Sequence, residues 1–403
     1  MTAKVLYLSY DGMTDPLGQS QVLPYLSGLA RELEIEFHLI SFEKPDKFQQ
    51  SQQSIQQFCD QTSIKWYPQV YHKSPPVFST LYDLYQLFRL SSKICETEDI
   101  QIVHARSYLP AMIAVKLKAR YGLKFIFDIR GFWIEERVEG GLWNLNNPIF
   151  KVIHGFMKRK ENELYTAADT IVTLTHRAKE IVASNFKVSD SIEVIPCAVD
   201  LDHFKPQSET VRSQVRKKLG LSNASLALVY VGSLGTWYQL DEMLDFFKVL
   251  SQVQPNAKFF FFTLDQPEMI RSKADELGIS PVDIHIQAVS RKEMPSYLSA
   301  MDAAIFFIRP TYSKMASSPT KHGELLAMEL PVICNDVGDL SLICSRENTG
   351  LIIQDYTSFD YQTAIQHLLS NQFGGFKEVT EEFYDLKKGV RKYNGIYTSL
   401  LES

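Results

Sequence analysis

The chain contains no CxxC pair, no GxGxxG fingerprint and no apolar run long enough to cross a bilayer. Each absence excludes something. Its five cysteines, Cys59, Cys95, Cys197, Cys334 and Cys344, are odd in number and widely spaced. Such spacing suggests neither a disulfide framework nor a zinc site and fits a reducing compartment. Without GxGxxG, a dinucleotide-binding reading is weak. Positive charge is not in excess either: the net charge is −5 and the pI about 6.0, which argues against a nucleic-acid partner. The opening residues, Met1 to Leu8, are too briefly apolar for a signal peptide. Low-complexity tracts and internal sequence repeats are also missing. The expectation is a soluble cytoplasmic protein, with room for peripheral attachment at the inner face of a membrane.

What is present is a strand–helix alternation in two rounds. At 403 residues the chain exceeds what one core usually supports, so two domains are expected. In the first round, a strand at Val5–Ser9 runs into a polar loop holding Gly12 and Gly18, then a helix from Gln21 to Leu33. Strand, glycine loop and helix are how α/β domains present phosphate sites. The alternative at Gly18 is a tight turn and nothing more. Apolar runs at Phe37–Phe42, Ile102–Ala105, Phe125–Phe127 and Ile171–Leu174 read as further strands. Two of them end in charge: His104 with Arg106, and Asp128, Arg130, Glu135, Glu136 and Arg137 around Gly131. Open sheets place ligands at that edge, although a lone histidine or a salt-bridge knot is as often structural. The helices at 78–94 and 151–167 carry apolar and basic residues that suit either a packed, solvated face or a membrane surface.

The second round begins with a strand at Leu226–Gly232, a loop at Ser233, Gly235, Thr236 and Tyr238, and a helix at 240–250. Strands at Lys258–Thr263 and His285–Val289 follow. Asp200-Leu201-Asp202 has the spacing of a metal motif but reads as a turn. The chain's focus is FIRPTYSKMASSPTKHGELLAMEL, residues 307–330. It leads from a buried strand at 303–308 into a helix that Ser318 or Thr320 is expected to cap. Arg309, Lys314 and Lys321 gather ahead of Glu324. Basic side chains at a helix N-terminus make a site for a phosphorylated ligand. Glu324 could accept hydrogen bonds from ribose hydroxyls.

These residues carry a resemblance. Ser318-Pro319-Thr320-Lys321, Glu324 and Leu330-Pro331-Val332-Ile333 resemble the donor helix of the family 4 retaining glycosyltransferases. Asp128-Ile129-Arg130-Gly131-Phe132-Trp133 resembles a cleft motif of one branch of that family, and Ile195 to Phe204 its interdomain linker. The resemblance implies the GT-B fold: two Rossmann-like α/β domains facing a cleft, with a C-terminal helix crossing back to the first. The expected division is 1–203 plus the helix at 384–403 for the acceptor side, and 204–383 for the nucleotide-sugar side. It further implies transfer of a sugar, with retention and without a metal, from a UDP-, GDP- or dTDP-linked donor to a hydroxyl acceptor, a sugar or a lipid-linked glycan. Family habit points to bacterial cell-surface polysaccharide or glycoconjugate synthesis. The nucleotide-sugar is a substrate, and no cofactor is called for.

The roles carried over are as follows. Lys321, helped by Arg309, meets the diphosphate, and Glu324 the ribose. Ser318, Thr320, Ser233, Gly235, Thr236 and Gly18 line the donor, and Ala288 and Val289 lie near the nucleobase. His104 and Arg130 stand on the acceptor side. Three departures stand out: Ala316 replaces the glutamate that contacts the donor sugar, and Ser233 and Tyr238 replace Arg and Lys. They keep two other readings open, a catalytically inactive glycosyltransferase-like partner and a nucleotide-sugar epimerase of the same fold.

Overall fold

The computed structural model describes residues 3–186, 188, 191–222 and 224–403. Met1 and Thr2, the first residues of the opening run read above, lie outside them. The chain separates into two compact units: Met1–Ala198 with Leu386–Ser403, and Val199–Asp385. The change of unit falls at Val199 because its N–H donates to Tyr384 O (2.8 Å) and it bridges Asp385.

The first unit holds seven parallel strands: β1 (Lys4–Ser9), β2 (Glu36–Glu43), β3 (Ile64–Val70), β4 (Ile100–Arg106), β5 (Lys124–Asp128), β6 (Thr170–Thr173) and β7 (Ile192–Val194), in the order β3-β2-β1-β4-β5-β6-β7. Helices flank the sheet, so its central strands are buried on both faces and read as continuous apolar runs rather than alternating ones. The order reverses between β1 and β4, where open sheets leave a crevice.

The helix expected from Gln21 to Leu33 runs from Leu23 to Leu33, and a second short helix, Pro16–Gln21, takes up the end of the expected loop. Gly18 therefore sits in a helical turn rather than a loop. A Cβ there would lie 2.3 Å from Gly12 O and 2.6 Å from Met13 Cα. The glycine is required by the chain's own close packing.

The C-terminal segment also divides. Helical periodicity runs on from 381 to 401, yet one helix stops at Phe383 and the next spans Leu386–Glu402. The break at Tyr384 and Asp385 frees backbone to pair with Val199. The last helix belongs to the first unit: Val390, Tyr393, Ile396, Tyr397 and Leu400 share a core with Val5, Phe37, Leu39, Ile102 and Ile126.

The second unit repeats the plan with six parallel strands: β8 (Ala227–Val231), β9 (Lys258–Phe262), β10 (Ile284–Gln287), β11 (Ala303–Phe306), β12 (Val332–Asn335) and β13 (Gly350–Ile353), in the order β10-β9-β8-β11-β12-β13. Phe259 to Phe262 are all essentially buried. Each such phenyl contributes roughly 1.5–3 kcal/mol of hydrophobic stabilisation before entropy is counted. The reversal here lies between β8 and β11. The two loops that leave their carboxyl ends are residues 232–239 and 307–319, the stretches singled out by sequence.

Candidate functional site

The helix at the focus of the sequence spans Thr320–Ala327, with Pro319 rather than Ser318 or Thr320 in the capping position and no side-chain cap. Pro319 has extended backbone (φ −67°, ψ 114°) and leaves the helix start to the loop. Lys321, one position into the helix, points back toward β8. Its Nζ lies 3.6 Å from the Tyr238 ring centroid and 4.3 Å from that of Tyr230, and donates to Tyr230 Oη at 3.2 Å. Tyr230 in turn donates to Ser233 O at 2.7 Å. Gly232 (φ +102°) makes room: a Cβ there would come within 3.2 Å of the ammonium. Desolvated cation–π contacts of this kind are worth about 2 kcal/mol. Burial is the larger effect, however, and pulls the Lys321 amine down to about 7 against the opposing pull of Glu324 and Asp265.

Tyr238 therefore has a positive role. At the position where the resemblance implies a second cation, an aromatic face instead holds Lys321. Next along the chain, Trp237 carries Lys314 (3.8 Å) and Arg309 (5.2 Å). Arg309 is exposed and Lys314 buried. The structure thus brings three cations onto the neighbouring aromatics Trp237 and Tyr238.

Glu324 stands one turn beyond Lys321. Burial raises its carboxyl, countered by Arg291, whose guanidinium donates to Oε1 at 3.0 Å. Arg291 is steadied by stacking on Phe204 (5.1 Å), while its carbonyl oxygen lies 2.9 Å from His203 Nε2. Asp200-Leu201-Asp202 leads into this support as a turn, with Asp200 Oδ1 accepting from the N–H groups of Asp202 and His203.

Asp265, at the end of β9, was not singled out by sequence. Its carboxylate accepts from Ser233 Oγ (2.9 Å) and Leu234 N (2.6 Å). The Ser233 hydroxyl is therefore engaged in holding the β8 loop. Gly235 (φ +49°) and Thr236 are exposed at its tip, and Ser318 and Thr320 are half-buried at the helix start. Ala288 and Val289 follow β10, the first exposed and the second half-buried. Ala316 closes a short helical turn at Tyr312–Ala316 and is fully buried.

The first-unit candidates have a different setting. His104 is 2% exposed, with Nδ1 2.6 Å from Tyr397 Oη of the C-terminal helix. Tyr393 from the same helix donates to Asp128 Oδ2 at 3.2 Å. Arg106 and Arg130 close on Asp128 at 3.9 and 3.7 Å, and Arg130 also reaches Cys197 Sγ at 3.3 Å. Burial lowers the pKa of His104. Burial alone would raise the Asp128 carboxyl, but the cations around it, Arg130 foremost, hold it below its usual value. This is the salt-bridge knot among the alternatives. It pins the last helix, while His104 Nε2 and Arg130 Nε, both buried, make no hydrogen bond within it.

Spacing hid one further cluster. Cys334 of β12, Cys344 of the helix Leu340–Arg346 and His322 of the helix Thr320–Ala327 meet in the interior of the second unit. A cavity of about 610 Å³, lined in part by Leu226, Asp302 and Pro331, opens at the opposite, amino-terminal edge of the same sheet. Asp302 there is engaged by Arg212 and Arg216. That edge is a structural knot.

Arg291 and Asp265 had no local signal; only folding brings them to the helix and the loop. Tyr230 was legible as part of an apolar strand, not as the wall of a cation cage.

Comparison with known proteins agrees with this geometry. Residues 18–203 match the family described as Glycosyltransferase Family 4, and residues 211–385 that described as Glycosyl transferases group 1. The chain is 31% identical over 186 residues to a Bacillus subtilis (strain 168) protein named for teichuronic acid biosynthesis, the glycosyltransferase TuaC, covering 46% of this chain and 43% of that one. The chain spans about half the length of the curated relatives it matches. Among solved structures, sucrose-phosphate synthase from Thermosynechococcus elongatus superposes with a TM-score of 0.73 at 12% identity, over 99% of both chains. Anabaena HepE, solved in complex with UDP and glucose, gives 0.68 at 11% identity, over 98% of this chain and 100% of that one. The first half matches the Family 4 model, the second half the group 1 model, and the two Rossmann-like sheets have the GT-B fold.

Proposed function

We propose that this protein is a retaining, metal-independent glycosyltransferase that takes a sugar from a nucleoside-diphosphate donor and delivers it to a hydroxyl acceptor. The observation that carries the reading is Lys321 and Glu324, one turn apart on one helix, both half-buried with burial working against their charged forms. A diphosphate leaving group needs positive charge fixed before the reaction. A caged ammonium at a helix start supplies it without reorganisation. Arg309 and Lys314, on Trp237, supply further charge at the flank. Glu324, oriented by Arg291, accepts from the ribose hydroxyls. In this reading the Ser233–Asp265 bond keeps the β8 loop in shape, and Gly235 and Thr236 supply backbone and hydroxyl contacts at its tip. No enzyme nucleophile is invoked. Departure of the diphosphate and approach of the acceptor share one face of the sugar.

The Bacillus subtilis likeness supports a role in cell-surface polysaccharide or glycoconjugate synthesis. The likeness to HepE, solved with UDP and glucose, makes UDP-sugars the first donors to try. No helix is long and apolar enough to cross a membrane among the described residues. A lipid-linked acceptor at the inner face of the membrane is part of the proposal.

The test is incubation with UDP-, GDP- and dTDP-sugars, with and without EDTA, reading nucleotide release. Slow, EDTA-insensitive hydrolysis of one donor, lost in Lys321→Ala, is expected. Binding without turnover would overturn the reading in favour of an inactive partner, and an epimeric sugar product in favour of an epimerase. The anomeric configuration of a transferred sugar, read by NMR, tests retention.

A further inference from the structure

The second unit buries two thiols and an imidazole at one point. Cys334 Sγ lies 3.9 Å from Cys344 Sγ, and Cys344 Sγ lies 3.5 Å from His322 Nε2. All three ligand atoms fall within 4.8 Å of one another, and all three residues are at most 2% exposed. They come from three separate elements, so the convergence is tertiary rather than a consequence of sequence spacing.

We propose that His322, Cys334 and Cys344 form a thiolate–imidazole site for a soft divalent cation, zinc foremost. The geometry is the first argument. Zn–S bonds of about 2.3 Å and Zn–N bonds of about 2.0–2.1 Å, at a tetrahedral angle, place two thiolates roughly 3.8 Å apart and a thiolate roughly 3.6 Å from an imidazole nitrogen. The distances above already have that pattern. Ligand type is the second. Thiolate and imidazole together select zinc or copper(I) over the hard cations. Charge is the third. Two thiolates and a neutral imidazole are exactly balanced by a divalent ion in a dry interior, whereas a monovalent one leaves a buried negative charge. Asp336, just past β12, adds to the negative field felt by both thiols.

The outer contacts suit the same role. His322 Nδ1 is 2.7 Å from Tyr384 Oη. With its proton on Nδ1 and donated to that oxygen, the ring turns the Nε2 lone pair toward Cys344, as outer contacts of metal-bound histidines do. Binding would release the thiol protons, and the three residues supply three of the four ligands zinc usually takes. Because His322 lies between Lys321 and Gly323, a loaded site would brace the helix Thr320–Ala327 from beneath. The assignment does not depend on the donor reading: it concerns a cluster behind the helix and is tested without any sugar nucleotide.

The experiment is titration of the full-length protein with cobalt(II), a spectroscopic stand-in for zinc, under a phosphine reductant. One equivalent should give a thiolate-to-cobalt charge-transfer band, and zinc should abolish it. Cys334→Ser and Cys344→Ser should each lose the band with circular dichroism unchanged, while Cys59→Ser keeps it. Should the serine variants fail to fold, the wild type alone decides: zinc should raise its Tm and a chelator reverse the rise. No band and no Tm shift would overturn the site. So would a band that survives both serine variants, or uptake of copper(I) without cobalt or zinc.

Discussion

The caged lysine of the second unit and the charge knot of the first both follow a buried strand in the sequence, yet they differ in what surrounds the charge. Around Asp128, cations approach from β4 and from the loop that follows β5, and two tyrosine hydroxyls close over the cluster from the last helix. Its charges face one another. Lys321 has no carboxylate within ion-pair distance among the described residues. It rests on aromatic faces, and its one recorded hydrogen bond goes to a tyrosine oxygen. A charge paired at home holds a fold together; a charge stripped of water and given only rings is poised for a counter-ion from outside.

Substitutions can break or sharpen that contrast. Asp128→Ala should cost about 3–5 kcal/mol of stability, because it leaves cations buried without their anion. Chemical denaturation measures this, and a loss below 1 kcal/mol would remove the knot's structural role. Lys321→Ala should leave the melting curve of the protein nearly unchanged while lowering donor turnover by about 10²–10³-fold, the usual loss when one fixed charge-stabilising donor is removed. Unimpaired turnover would leave the cage without a purpose.

The third prediction concerns pH. With the Lys321 amine pulled down to about 7, the empty site loses its positive charge as pH rises past neutrality. A bound diphosphate favours the protonated form, so nucleotide affinity should weaken from pH 7 toward pH 9, with proton uptake on binding at the alkaline end. Calorimetry in two buffers of different ionisation enthalpy reads both. A pH-independent dissociation constant would mean that other groups hold the phosphates. The smallest effect is expected of Tyr397→Phe. It removes one hydroxyl from His104 and should cost about 1 kcal/mol with catalysis untouched.

Much of this was legible beforehand. The helix Thr320–Ala327 announced itself through Lys321 and Glu324 at one-turn spacing after a buried strand. Most central strands were apolar runs too short for anything else. What escaped had physical reasons. β3 carries Pro68 and β13 opens on Gly350, and both lie at the edges of their sheets, so neither has a strong strand pattern. The break at Tyr384 cannot be seen in a periodicity that continues across it; only pairing with Val199 reveals it. Asp265, Arg291 and the Cys334–Cys344 pair act through residues distant in sequence. Tyr238 was visible, but as the absence of a lysine, since a ring is ordinarily read as core.

The last helix has a consequence for how the protein is made. It walls the core of the first unit, yet it emerges from the ribosome after the whole second unit. The second unit can thus mature on the nascent chain while the earlier-made half waits, His104 and Asp128 uncovered, for its final turns. A stop codon shortly before Leu386 should therefore harm the beginning of the protein more than its end.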